Sequence, residues 1–377
     1  MKEDNSKLRL QIGTSILELE NLNEEMNKGF SALYQHYFSG NKFDIAFFKK
    51  GSMNFFDENP DSEVHDKFFN NFTILWQLLI RNSSFFYAEQ IWQLAVDIAR
   101  EWEVSDQSKR KIHKGTAYYF WGTTCILKED LEKGFLLMHQ ALEEDRQNRY
   151  SKLVDTPAYA FVKLDYKQQK QFFGSKVQEI ANFLEERIRT YRSTRHGNLS
   201  LDQLRSKFLD NVDLVDNSFL FVYELFHIKK LISETKQKLT RNIYGSLLMM
   251  RVIFTFVLTI DNVIKQKYGN TDPHKQDFVN LLEYLSKESN LSLDISKLRV
   301  INERANVDLK EVVMDLLNSK QVFKTKLKQL EEDIAIVYAF RNSAAHRIRD
   351  RPFINENFAS VIDRLFNVFF LSVERLY

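Results

Sequence analysis

Residues Lys114–Asp145 read KGTAYYFWGTTCILKEDLEKGFLLMHQALEED. Two apolar runs flank a short charged turn around Lys128-Glu129-Asp130, and within each run small and large side chains recur at helical spacing. Gly122 in the first run and Ala141 in the second would let two antiparallel helices approach closely, while larger neighbours fill the groove between them. Upstream, Ala88, Trp92 and Ala95 repeat the small-large-small pattern after an apolar stretch at Phe72–Ile80. The reading is of consecutive helical hairpins.

The same texture extends along the chain. It has 377 residues with only 4 Pro and 11 Gly, so long uninterrupted helices are sustainable and strand punctuation is scarce. The expected fold class is all-α, in two domains because the length exceeds what one core organises. Phe (32) and Tyr (15) are abundant and are read as core knobs between helices, with base stacking as the alternative. Residues 1–38 read as one helix through Leu8, Leu10, Ile16, Leu17, Leu19, Leu22 and Met26, and 40–63 as a loop broken by a short helix. A long helix is expected over about 166–191, and the polar segment 193–200 is the expected domain boundary.

Residues 64–146 resemble degenerate tetratricopeptide hairpins, with Tyr118, Trp121, Gly122, Gly134, Met138 and Ala141 at that family's positions. Trp76 departs from the pattern at a helix-A glycine position and Arg146 at the terminal proline, and the two units are spaced beyond the regular period. An ordinary helical bundle is the alternative. The resemblance implies a concave face for a protein or peptide trigger. Trp92, Tyr118, Tyr119 and Trp121 would either line a groove or fill the core.

The lone Cys125 excludes an internal disulfide framework and a cysteine zinc site, and fits a reducing cytoplasm. The polar start Met1–Lys7 lacks the cationic-then-apolar order of an export signal. The most apolar run, Leu247–Ile260, is shorter than a bilayer and contains Arg251, so a bundle core is expected and no membrane span. Lys+Arg (53) and Asp+Glu (51) balance, so any nucleic-acid contact should be a local patch.

Helices are expected at 213–235, 241–267, 276–286, across 293–318 and at 321–345. In the last, Leu327, Leu330, Ile334, Val337 and Tyr338 form a stripe whose continuation carries Arg341 inward. Asn342-Ser343-Ala344-Ala345-His346 follows, then Arg347, Arg349, Arg351 and Pro352, then a closing helix with Phe358, Val361, Ile362, Leu365, Phe369, Val373 and Leu376. An apolar helix running into RNSAAH, a basic turn and a final apolar helix resembles the HEPN superfamily over about 240–377, whose motif is Arg, four to six residues, His. The organisation expected is a repeat-like domain at 1–196, connecting helices at 197–240 and a HEPN-like domain at 241–377.

That resemblance implies a metal-independent endoribonuclease, without cofactor, active as a homodimer on RNA in antiviral defence, abortive infection or a toxin–antitoxin system. Arg341, Asn342 and His346 would be catalytic, and Arg347, Arg349 and Arg351 would bind RNA. On an ideal helix a five-residue step separates Arg341 from His346 by roughly 140°, so they share a site only through distortion or across two chains. A second match, Arg189 to His196, runs into the polar linker and lacks a following apolar helix. Other readings are Arg341 as a charge at a helix C-terminus with His346 as a cap partner, and the chain as a non-catalytic helical adaptor that uses the HEPN-like bundle for dimerisation or nucleotide binding. Among the other histidines, His274 is read as a loop residue.

Overall fold

A computed structural model describes residues 7–12, 15–106, 110–148, 150–268, 277–291, 293–320, 329–343 and 351–377. The chain is all-α, with sixteen α-helices and one two-stranded hairpin among the described residues. It divides into two compact units, 1–160 and 161–377. The polar segment at 193–200 therefore lies inside the second unit instead of parting the two.

The first unit corrects the expected helix over 1–38. Strands β1 (Lys7–Ile12) and β2 (Ser15–Glu20) pair antiparallel, and α1 (Glu24–Ser39) follows. The cause is a period of two that the helical reading overlooked. Leu8, Leu10, Leu17 and Leu19 fall on one face, while Arg9 meets Glu18 and Lys7 meets Glu20 on the other. Asn23 starts α1 by accepting the Met26 N–H at 2.9 Å.

The expected loop over 40–63 is instead mostly α2 (Ile45–Glu58), capped by Asp44 on the Phe47 N–H at 3.0 Å. Gly51, inside that expected loop, sits where α1 passes closely, because a Cβ there would lie 3.0 Å from Glu25 Oε1. Helices α3 (Ser62–Arg81), α4 (Phe85–Ser105), α5 (Gly115–Leu127) and α6 (Leu131–Asn148) complete this unit.

The α5–α6 hairpin closes as its glycines require. A Cβ on Gly122 would stand 2.9 Å from the Gly134 carbonyl, so backbone meets backbone there. Aromatics form the core: Phe30 packs edge-on against Phe48 and Phe72 at 5.3 and 5.2 Å, and Trp92 stacks on Phe120 at 5.4 Å. Trp92, Tyr118 and Tyr119 are buried core residues, and Tyr119 also lines a cavity of about 160 Å³ with His113, Asp145 and Thr156. Trp121 is half-buried, with the Lys133 ammonium 5.1 Å over its ring.

The short α7 (Pro157–Val162) spans the division, and α8 (Gln171–Arg195) ends at His196 in left-handed backbone, φ 55°. Then come α9 (Leu201–Leu204), α10 (Val215–Lys236), α11 (Ile243–Tyr268), α12 (Phe278–Glu288), α13 (Ile295–Val307), α14 (Leu309–Leu317), α15 (Gln329–Ser343) and α16 (Arg351–Leu376). The single stretch expected over 293–318 is two helices, split at Asp308, whose side chain accepts the Glu311 N–H at 2.9 Å and caps α14.

Helices α11 and α16 lie side by side and run the same way. Asn355 donates to Ser246 at 2.6 Å, Phe256 meets Phe366 at 5.0 Å, and the Tyr377 hydroxyl donates to the Val263 carbonyl at 2.8 Å. Phe221 stacks on Phe369 at 4.1 Å beside them. The apolar run at 247–260 thus belongs to a helix of 26 residues, the one described helix long and apolar enough to cross a membrane. Half of its most apolar window is buried in the bundle, and bundle-core helices meet the same criterion.

Candidate functional site

Helix α15 is buried on every side from Glu331 to Phe340, and Arg341 occupies its last turn. A cation there complements the helix dipole, but its main partner is tertiary. Nε donates to Asp261 Oδ2 on α11 at 3.1 Å, with 34% of the Arg341 side chain and 13% of Asp261 exposed. The guanidinium carbon also sits 6.0 Å above the Phe278 ring. Arg341 is therefore neither fully inward nor free: one edge is anchored while a third of the side chain stays open to solvent.

Asn342, half-buried, hydrogen-bonds the Tyr338 hydroxyl one turn back. Burial pushes the Tyr338 phenol up, and the Asn342 contact partly offsets that. His346, Arg347 and Arg349 lie outside the described residues, as does His274. Arg351 opens α16, and its side chain lies outside them too.

The two flanks of the motif stand apart. Arg341 meets α11 at Asp261, whereas the first turns of α16 meet it at Ser246 through Asn355. Fifteen helical positions separate those contacts, about 22 Å at the usual rise. Within one chain, then, Arg341 and the start of α16 do not share a pocket. The second sequence match is different again: Arg189 and His196 are exposed on the last turns and end of α8.

No family model, curated protein or solved structure matches this chain.

Two further clusters escaped the sequence reading. Asp333, fully buried, accepts from Arg195 Nε at 2.6 Å, Arg364 Nη1 at 2.7 Å and Asn367 Nδ2 at 2.9 Å. It ties α8, α15 and α16 together. The signal was present as Arg364 and Asn367, spaced three apart inside the apolar run of the closing helix. In the first unit His113 Nε2 meets Asp145 Oδ1 at 2.9 Å, while Lys114 is buried between Glu103 at 2.6 Å and Glu144 at 3.4 Å. These contacts join the start of α5 to α6 and to α4.

Proposed function

We propose that this chain is a metal-independent endoribonuclease of HEPN type, with an active site assembled from two copies. The observation that carries this reading is Arg341: an arginine in the last turn of a buried helix, positioned by Asp261 yet one-third exposed, at the head of the Arg-x4-His motif. A guanidinium held in that way can grip a scissile phosphate and stabilise the charge of the pentacovalent transition state. His346 would withdraw the ribose 2′-OH proton or protonate the departing 5′-oxygen. Asn342 would orient the phosphate, and Arg347, Arg349 and Arg351 would attract the backbone in a salt-dependent way.

On an ideal helix a five-residue step sets Arg341 and His346 roughly 140° apart, which favours sharing between chains over a pocket within one. A homodimer is accordingly part of the proposal. The helical hairpins of the first unit would receive a protein or peptide trigger, and the setting would be cytoplasmic defence against infection or a toxin–antitoxin pair, by analogy with the resembled family.

The test combines a solution mass with a cleavage assay. Twice the 44.8 kDa chain mass is expected, together with cleavage of single-stranded RNA but not DNA, leaving 2′,3′-cyclic phosphate and 5′-hydroxyl ends. A strict monomer, or equal cleavage of DNA, contradicts the proposal.

A second reading is favoured by the same ion pair. If Arg341 serves only to fasten α15 to α11, the bundle is a non-catalytic adaptor. Loss of stability in Arg341→Ala with no ribonuclease activity in any variant would identify that case.

A further inference from the structure

On the β2 edge of the first-unit hairpin one residue is capped by a side chain from α3. Glu20 donates its N–H to Asn71 Oδ1 at 2.7 Å, and its carbonyl accepts from Asn71 Nδ2 at 3.1 Å. Both main-chain groups of Glu20 therefore point away from β1. In an antiparallel ladder such outward residues alternate with those that carry the inter-strand bonds. With Lys7 opposite Glu20 and Arg9 opposite Glu18, the ladder bonds fall to Leu8–Leu19 and Leu10–Leu17.

It follows that Lys7 and Arg9 direct their N–H and C=O groups outward from β1. Asn71, reaching from α3, acts as a side-chain substitute for a further strand on the β2 side. On the β1 side, the Arg9 main-chain groups meet no partner among the described residues. Beside this edge runs a groove of about 700 Å³ between β1 and α1, bounded by Leu8, Leu10, Leu22, Asn27, Ser31 and Ala32.

The strand already paired with β1 shows what its surface accepts. In β2, Leu17 and Leu19 face the helices, while Glu18 and Glu20 lie beside Arg9 and Lys7 on the outer face. A strand added at the outer edge of β1 would repeat that alternation: its acidic side chains would neighbour Lys7 and Arg9, and its apolar ones would enter the groove above α1.

We propose that the outer edge of β1 is a docking site for an extended peptide segment of alternating apolar and acidic residues on a partner protein, bound by strand addition. This does not rest on the ribonuclease reading, since every residue involved belongs to the first unit.

The experiment uses the full chain and a labelled peptide repeating the Ser15–Glu20 sequence twice, followed by fluorescence anisotropy. Saturable binding is expected. Arg9→Pro removes an N–H that plays no part in the hairpin ladder, so it should weaken binding by about tenfold or more while the thermal melt is kept. In a second arm that needs no variant, N-methyl groups on one alternate set of peptide amides should abolish binding, and on the other set should leave it intact. Replacing the peptide glutamates by lysine should weaken it. Absence of binding, or binding indifferent to both Arg9→Pro and N-methylation, overturns the proposal. So does concentration-dependent self-association of the chain that Arg9→Pro removes, because a second copy would then be the occupant of the edge.

Discussion

Asp261 accepts from Arg341 Nε at 3.1 Å, binding the last turn of α15 to α11 while a third of the arginine side chain stays exposed. Two consequences separate here. As a fastener, a pair so exposed is worth about 1 kcal/mol. On the proposed ribonuclease reading, the same contact would position a phosphate ligand and matter more to activity than to stability.

Asp261→Asn should therefore lower the melting temperature only slightly while reducing RNA cleavage by about tenfold or more. Arg341→Lys, which keeps the charge but loses the planar fork, should not rescue the activity. Turnover measured beside thermal melts separates the two effects. A large stability loss with unchanged turnover would assign the pair to packing alone.

Asp333 is a buried anchor of the second unit, shared by two arginines. Replacing it by Ala leaves Arg195 and Arg364 without their shared buried counter-charge and should cost roughly 3–5 kcal/mol in urea denaturation. The Arg364→Ala, Asp333→Ala double variant should be less destabilised than the sum of the singles, because the two share one network.

Glu89 should carry a pH signature in the first unit. Burial raises its carboxyl, but hydrogen bonds from Lys128 and Lys133 and their charges outweigh that and hold it down to about 2, against an ordinary 4.5. Since the folded form binds its proton less readily than the unfolded form, the stabilisation is complete above about 4.5 and lost as pH falls towards about 2. Glu89→Gln should melt below the wild-type chain at pH 7, with the gap closing across that acidic window.

Cys125 should be inert. Burial, reinforced by the neighbouring Glu89 carboxylate, pushes its thiol up to about 12. Iodoacetamide at pH 8 should modify it only after denaturant unfolds the first unit, and rapid native labelling would contradict this packing.

Much of this architecture could be read from spacing. The hairpin at Gly122 and Gly134, the long α8, and the central α11, α15 and α16 all follow from apolar residues recurring every three or four positions. The failures have physical causes. Leu8, Leu10, Leu17 and Leu19 satisfy a helical stripe loosely and a two-residue period strictly, and only the cross-strand pairs Arg9–Glu18 and Lys7–Glu20 decide between them. The loop expected over 40–63 contains Gly51, and a glycine that serves close helix approach is the same letter as one that serves a turn.

For the candidate site, the motif alone points to Arg341 and Asn342. It does not point to Asp261, which sits eighty residues upstream on another helix, where no local pattern links it to Arg341. Asp333 was missed for a related reason: its partners come from α8 and α16, and a buried ion network leaves only isolated polar letters within apolar runs.

The most direct test of the central claim is cleavage of a labelled single-stranded RNA by the wild-type chain and by Arg341→Ala and His346→Ala, with EDTA present throughout. The account predicts wild-type cleavage that survives the chelator, and loss of cleavage in both variants at unchanged helicity and solution mass. Wild-type-level cleavage by either variant, or activity abolished by EDTA, would contradict it.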